Sequence, residues 1–239
     1  MQNVTRESLL TIVVPVHNMA GRMEKLASWL RDAIDANIKI ILIHDQSQDE
    51  THSEIHQLLN KFKSPLLTVC EVKVKSPGLA RNVGLNLVET PWFSFADADD
   101  FVKITNLVAL LQQTAQQKAT IEIGGYISCN LVTGKEVEVM PLSATNQELA
   151  LHLALNMGLW RIIMSTKSLQ DIKFSPDRMA EDYYFLLQVL NCCETIHISD
   201  CIVYKYYFGG LFNLTSDKSA MKDMLNVSRA FRRFDPSTD

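Results

Sequence analysis

Three polar clusters in this sequence each follow a short run of mainly apolar residues. The runs span residues 10–14, 38–43 and 92–96, and each has the length of a buried strand. If these strands are parallel neighbours, the clusters at their carboxyl ends face one crevice, where ligands collect in open α/β sheets. The clusters are Pro15-Val16-His17-Asn18, His44-Asp45-Gln46-Ser47 and Asp97-Ala98-Asp99-Asp100.

The acidic cluster is the most informative of the three. Three carboxylates within four residues repel one another, and a simple turn needs only one Asp or Asn. A hard divalent cation such as Mn²⁺ or Mg²⁺ takes oxygen ligands and would relieve this repulsion. An acidic turn that caps the helix predicted to begin near Ile104 would use the same residues. The cluster alone leaves both interpretations open.

The predicted strands and helices around these clusters favour a sheet in which the clusters face one crevice. Apolar runs at 10–14, 38–43, 66–74 and 92–96 alternate with segments of helical period, including stripes on residues 23–30, 55–62 and 104–111. This β-α-β alternation predicts an α/β fold with a mainly parallel central sheet flanked by helices on both faces.

The second half is less regular. Residues 121–128 and 136–140 flank Thr133-Gly134-Lys135 and predict a hairpin. Residues 146–155 and 180–190 are predicted helices, and 162–164 and 196–206 are predicted strands. No Pro/Gly-rich break separates the halves, so we expect a single continuous domain over 1–239. Its nucleotide side is expected over about 1–110, and its acceptor side, with a C-terminal helix, over about 111–239.

The three clusters, with the intervening Gly78-Leu79-Ala80-Arg81-Asn82-Val83-Gly84, resemble the signature motifs of family 2 glycosyltransferases, which have the GT-A fold. The run from Gly78 to Asp100 is similar to the family's Ala-Arg-Asn segment, short strand and Asp-x-Asp-Asp. The resemblance covers roughly the first 110 residues, and the motifs agree in order and spacing. Agreement of several motifs is more specific than any one of them.

The resemblance implies a nucleoside pocket in the first two clusters. Asp45 is expected to hydrogen-bond the base, most often uracil, and Pro15, His17 and Asn18 to line the pocket. A histidine, His44, stands where the family usually has Asp, which leaves the base preference open. From its residue type alone, His17 could equally be a loop histidine with local hydrogen-bond partners.

The resemblance also implies a diphosphate and metal site. Arg81 is expected near the diphosphate, where a guanidinium can pair with phosphate oxygens. Asp99 is expected to hold Mn²⁺ or Mg²⁺, and Asp97 to bind the metal or the ribose. Without the resemblance, Arg81 on a helix would be taken as a solvated charge.

Further along the chain, Asp182 falls where inverting members place the general base, and Glu181 would orient it. Two acids at a helix N-terminus are also ordinary partners of the helix dipole, which the residues alone favour. Trp160 could stack on a sugar face or belong to the core.

The function implied is inverting, metal-assisted transfer of a sugar from a nucleotide diphosphate, with UDP favoured, to a hydroxyl acceptor. The acceptor would be a saccharide or lipid-linked saccharide in cell-surface polysaccharide synthesis. The alternative is a non-catalytic module on the same fold that binds a nucleotide sugar or a partner.

Composition narrows the partners and the location. The formal charge of −4 predicts no nucleic-acid partner, and no apolar stretch approaches the roughly 20 residues of a membrane span. We therefore expect a cytoplasmic protein. Arg229, Phe231, Arg232, Arg233 and Phe234 form a basic-aromatic tail, either a solvated terminal helix or a peripheral contact with the inner face of the membrane.

Overall fold

Strands and helices alternate through the first half of the chain, as the apolar periodicity predicts. The computed structural model describes residues 7–141, 158–176 and 181–209. The strands are β1 (Leu10–Val16), β2 (Lys39–Asp45), β3 (Leu67–Val72), β4 (Trp92–Phe95), β5 (Phe101–Val102), β6 (Ile121–Asn130), β7 (Glu136–Val139), β8 (Ile162–Ser165) and β9 (Ile196–Phe208). The helices are α1 (Glu24–Asp35), α2 (Thr51–Phe62), α3 (Pro77–Asn86), α4 (Ile104–Gln117) and α5 (Glu181–Cys192), with a 3₁₀ turn at Leu159–Arg161.

These strands form one sheet in the order β3-β2-β1-β4-β8-β6-β9-β5, and β7 pairs with β6. The first four strands in that order are all parallel, as predicted. From β4 onward the pairing is mixed: β8 runs antiparallel to both β4 and β6, whereas β9 runs parallel to β6. Parallel pairs need a crossover between strands, and the β-α-β alternation that supplies crossovers ends after α4.

Helices cover both faces of the sheet, and each face has its own apolar core. Along β1, Ile12 and Val14 point to the side covered by α1, α2 and α4. Val13 points to the opposite side, which α3 and α5 cover. On that side Gly84 brings α3 close to β1, because a Cβ at Gly84 would lie only 2.3 Å from a methyl carbon of Val13.

The local predictions for the second half are confirmed where the structure describes them. β6 and β7 form the predicted antiparallel hairpin, and Gly134 adopts a left-handed conformation with φ of +68° in its turn. α4 begins at Ile104, and α5 corresponds to the predicted helix at 180–190. The predicted helices at 146–155 and at the C-terminus lie outside the described residues. Among the helices of the described ranges, none is long and apolar enough to cross a membrane.

Candidate functional site

The first two polar clusters contact each other at the carboxyl ends of β1 and β2. These parallel strands place Val16 beside His44, so the residues that follow emerge together. The His17 ring nitrogen Nδ1 lies 2.5 Å from the backbone carbonyl oxygen of Asp45. The Asn18 N–H donates to Ser47 Oγ at 2.9 Å, and the Gln48 N–H donates to Asn18 Oδ1 at 2.9 Å. Asn18 has φ of +49°, a left-handed conformation that Asn tolerates better than most residues.

Asp45 and His44 form the buried end of β2. Asp45 Oδ1 accepts a hydrogen bond of 2.8 Å from the Val74 N–H, which ties the segment after β3 to β2. Burial lowers the pKa of His44 despite the nearby Glu71 carboxylate, so its imidazole is neutral at pH 7. His44 Nε2 lies 3.0 Å from Ser47 Oγ. The structure therefore gives His44 a position in the scaffold of this loop, beside the residue expected to recognise the base.

Arg81 joins the acidic cluster to α5. Its side chain projects from α3 and is only 10% exposed. One terminal nitrogen lies 2.9 Å from Asp97 Oδ1, and the other lies 2.9 Å from Glu181 Oε1. Burial disfavours the charged guanidinium, but Asp97 and Glu181 outweigh that effect and hold the pKa of Arg81 above its ordinary value. Arg81 is therefore the partner of two buried or half-buried carboxylates, and its expected contact with a diphosphate remains a prediction.

Asp100 holds the acidic loop in place. It is 2% exposed, its Oδ1 accepts from the Tyr207 N–H at 2.8 Å, and the Tyr204 hydroxyl donates to its Oδ2 at 3.1 Å. The same hydroxyl accepts from the Asp97 N–H at 2.9 Å. Burial, together with Asp97 and Asp99, raises the pKa of Asp100 to about 9.

The acidic cluster does not cap α4. The residue before α4 is Lys103, which makes no side-chain capping bond in the described structure, and β5 separates the cluster from the helix. Asp100 bonds to β9 instead. This role of Tyr204 is not predicted from the sequence. The signal was the alternation of Tyr204, Tyr206 and Phe208 along one strand, which places them on the same face.

The donor set of the loop suits a hard divalent cation. Burial and the neighbouring Asp97 raise the pKa of Asp99, so a negative charge on Asp99 is disfavoured unless a cation compensates it. Arg81, the buried cation nearby, is already paired with Asp97 and Glu181. Both oxygens of Asp100 are held by β9, which leaves Asp99 and Asp97 as the candidate ligands. Carboxylate oxygens are the donors that Mn²⁺ and Mg²⁺ prefer, so the residues present fit such an ion.

Asp182 and Glu181 begin α5 on the other side of Arg81. Burial raises the pKa of Asp182 above its ordinary value, although the Arg81 charge opposes the rise. The Tyr183 N–H donates to Asp182 Oδ1 at 2.9 Å, and Arg81 and Asp97 are close enough to influence its ionisation. A carboxylate with a raised pKa is suited to accepting a proton. The structure thus places the predicted base close to Arg81 and the acidic loop.

Trp160 lies in an aromatic stack that reaches the acidic loop. Its ring is parallel to that of Tyr204 at 4.2 Å between centroids and to that of Tyr206 at 5.6 Å, while Tyr126 meets it edge-on at 4.7 Å. Because Tyr204 also bonds Asp97 and Asp100, packing of Trp160 supports the position of the acidic loop. Trp160 is therefore a packing residue, and a sugar contact on its remaining surface stays a prediction.

The chain is similar to known glycosyltransferases. The family model described as glycosyl transferase family 2 matches residues 11–177, which include the three clusters and Arg81. An uncharacterized glycosyltransferase of Haemophilus influenzae is 27% identical over 184 residues, covering 77% of this chain and 72% of the relative.

Solved structures show the same fold. The Staphylococcus aureus TarS fragment 1–349 in complex with UDP-GlcNAc matches with a TM-score of 0.72 and 21% identity, over 92% of this chain and 64% of the other. A mannosyltransferase of Pyrobaculum calidifontis in complex with GDP-Man and Mn²⁺ matches with a TM-score of 0.62 and 15% identity, over 95% of this chain and 65% of the other. The chain thus spans just under two thirds of each of these structures, and its fold is GT-A.

Proposed function

We propose, from the premise that the chain belongs to glycosyltransferase family 2 and is a sugar transferase, that it moves a sugar from a UDP-sugar to a hydroxyl acceptor with inversion. The observation that carries the proposal is the Arg81 bridge. Through this one guanidinium, the acidic loop on the proposed donor side is linked to α5, which carries the proposed base. A transferase needs both to converge on the anomeric carbon.

The donor side consists of the first two clusters. Pro15, His17 and Asn18 would line the nucleoside pocket, and Asp45 would accept a hydrogen bond from the base. The contacts between these loops support this assignment because they fix the two clusters against each other. UDP is favoured by the family motif and by the UDP-GlcNAc complex of the TarS fragment.

The metal would be held by Asp99, with Asp97 as the second ligand or as a ribose contact. When bound, Mn²⁺ or Mg²⁺ neutralises negative charge on the nucleoside diphosphate as it leaves. Support comes from the carboxylate donors themselves and from the Mn²⁺ complex of the P. calidifontis relative. Arg81 would orient Asp97 and add positive charge beside the diphosphate.

Asp182 would act as the base. The acceptor oxygen forms a bond to the anomeric carbon as the bond from that carbon to the diphosphate oxygen breaks, and the acceptor proton passes to the Asp182 carboxylate. A single displacement of this kind inverts the anomeric centre and needs no enzyme nucleophile. Glu181, held by Arg81, would keep the start of α5 in position. Trp160 would face the acceptor side.

The biological setting is part of the same proposal. The acceptor would be a saccharide or lipid-linked saccharide used in cell-surface polysaccharide synthesis. The protein would work in the cytoplasm, with its basic-aromatic tail available for contact with the inner face of the membrane. The chain would divide into a nucleotide half, about 1–110, and an acceptor half, about 111–239.

Two measurements test the proposal. Calorimetry with UDP should detect binding that depends on Mn²⁺ or Mg²⁺, and absence of such binding would refute the donor assignment. A panel of nucleotide sugars should then identify a turnover substrate, and NMR of the product should show inversion.

For the base, Asp182→Asn should retain UDP binding and lose at least about 100-fold in turnover, the contribution expected of a general base. Asp200→Asn, an exposed acid on β9, is the matched control and should behave like wild type. Turnover by Asp182→Asn at the wild-type rate would remove Asp182 from the mechanism. If the wild type binds UDP but turns over no donor, the protein would instead be a non-catalytic nucleotide-sugar-binding module. The presence of His44 in place of the family's Asp motivates this alternative.

A further inference from the structure

Three side chains of metal-ligating type meet at the edge of the proposed nucleoside pocket, away from the acidic loop. They are His44 at the end of β2, Glu71 on β3 and His52 in the first turn of α2. One ligand atom from each residue lies within 4.8 Å of the others. Glu71 Oε1 is 3.0 Å from His52 Nδ1 and 3.9 Å from His44 Nδ1. None of these contacts involves the acidic loop.

The backbone fixes the relative positions of the three residues. His44 and Glu71 are register partners in the parallel pair of β2 and β3. The start of α2 is anchored at Thr51, because its hydroxyl accepts from the Met19 N–H at 2.6 Å and its own N–H donates to Asp49 Oδ1 at 3.1 Å. His52 follows directly, and its ring centroid lies 5.7 Å from that of His44. The fold therefore assembles the cluster, and only the exposed side chains of His52 and Glu71 would need to adjust.

From this geometry we propose that His44, His52 and Glu71 bind a divalent transition-metal ion of the zinc class. Two imidazoles and one carboxylate, with water in a fourth position, are a common Zn²⁺ ligand set. With metal–ligand bonds of about 2.0–2.1 Å, tetrahedral ligands lie roughly 3.3 Å apart. The present separations allow this after small rotations of two surface side chains. Imidazole nitrogen selects zinc-like metals over Mg²⁺ and Mn²⁺, which separates this site from the all-carboxylate loop.

Ser47 provides the outer-shell support that such a site needs. A metal on His44 Nδ1 requires the ring proton on Nε2, and Ser47 Oγ lies 3.0 Å from that nitrogen and can accept the proton's hydrogen bond. The Ser47 N–H donates to Nε2 at 3.3 Å, a hydrogen bond that would be lost on metal binding because Nε2 would then carry the ring proton. The ion would join β2, β3 and α2 through its three ligands. Ser47 also accepts a hydrogen bond from the Asn18 N–H, so the ion would lie beside the nucleoside pocket.

Zn²⁺ titration of the full chain by calorimetry tests this site, with millimolar Mg²⁺ present to occupy the acidic loop. Glu71→Gln and His52→Ala change exposed residues and should leave the fold intact. Each removes one ligand. Loss of an outer-shell partner already costs 10–100-fold in metal affinity, so each should weaken Zn²⁺ binding by about 100-fold or more.

His56→Ala is the matched control. His56 is an exposed histidine one turn along α2, with its ring 4.5 Å from that of His52, but it is not among the three ligands. The His56→Ala variant should bind Zn²⁺ like wild type. In a second measurement, Co²⁺ bound in place of Zn²⁺ should give the visible absorption of a tetrahedral site in the wild type and not in Glu71→Gln. If His52→Ala and His56→Ala weaken binding equally while Glu71→Gln does not, the ion sits on an ordinary helical histidine pair and the proposal fails. Absence of Zn²⁺ binding to the wild type would also overturn it.

Discussion

Replacing Arg81 with methionine removes the positive charge that connects α3, the acidic loop and α5. Methionine is unbranched and apolar, so it fills the space of the aliphatic part of the arginine side chain. Glu181 and Asp97 would each lose a hydrogen bond of 2.9 Å to a guanidinium. Asp182 would lose the positive charge that opposes the rise of its pKa. We expect this variant to be strongly destabilised.

The size of the effect follows from the burial of each pair. The side chains of Arg81 and Glu181 are both 10% exposed, and breaking a buried ion pair by removing one partner costs about 3–5 kcal/mol. The Asp97 side chain is 31% exposed, so solvent screens that pair and it adds at most about 1 kcal/mol. The total is a large fraction of the roughly 5–15 kcal/mol that stabilises a typical domain.

The cost should depend on pH with a definite sign. Burial already raises the pKa of Glu181 and Asp182, and without Arg81 both rise further. A group whose pKa is higher in the folded than in the unfolded state loses its stabilising contribution as pH increases. The destabilisation by Arg81→Met should therefore be larger at pH 8 than at pH 5.

Urea unfolding of wild type, Arg81→Met, Glu181→Gln and the double variant measures these effects. The double variant removes both charges and should recover about 0.5–3 kcal/mol relative to the sum of the single changes. A cost for Arg81→Met below about 1 kcal/mol, or a cost equal at the two pH values, would refute this account of the bridge.

Three further predictions concern the supports of the site. Gly84→Ala places a methyl group 2.3 Å from Val13, so it should cost about 1–3 kcal/mol in urea unfolding. Asp100 has a pKa of about 9 in the folded protein, so its stabilising contribution should be lost, and the Tm of the metal-free protein should fall, as pH rises from the ordinary pKa of an Asp toward 9. Asp100→Asn should make this decline in Tm shallower. Trp160→Ala removes the stack on Tyr204 and should cost about 2–3 kcal/mol, less than the 3–5 of a fully buried Trp, with loss of near-UV circular dichroism.

Each of these has an outcome that contradicts it. A wild-type midpoint for Gly84→Ala would mean that α3 can move away from β1. A Tm of Asp100→Asn that falls with pH as steeply as that of wild type would assign the decline to another group. An unchanged near-UV spectrum for Trp160→Ala would mean that the aromatic stack is not ordered in solution.

Local patterns in the sequence predicted much of the fold. The runs 10–14 and 38–43 became β1 and β2, the stripe beginning at Ile104 became α4, and Gly134 became the turn of the hairpin. These features depend on side-chain periodicity and on backbone preferences, which act over a few residues. The order of the motifs was sufficient to predict the family, which the family model confirms.

The tertiary structure decided which side chains act together. Arg81 and Glu181 are separated by 100 positions, and Tyr204 lies 107 residues after the Asp97 amide that its hydroxyl binds. The insertion of β8 between β4 and β6 brings the second half against the first. The meeting of His44, His52 and Glu71 likewise depends on the register of β2 and β3 and on the start of α2. The sequence by itself could nominate the acidic loop as a metal site, but it left a helix cap equally open. Only the folded chain excluded the cap, because the hydrogen bonds that occupy Asp100 come from a strand remote in sequence, and no local pattern encodes such a pairing.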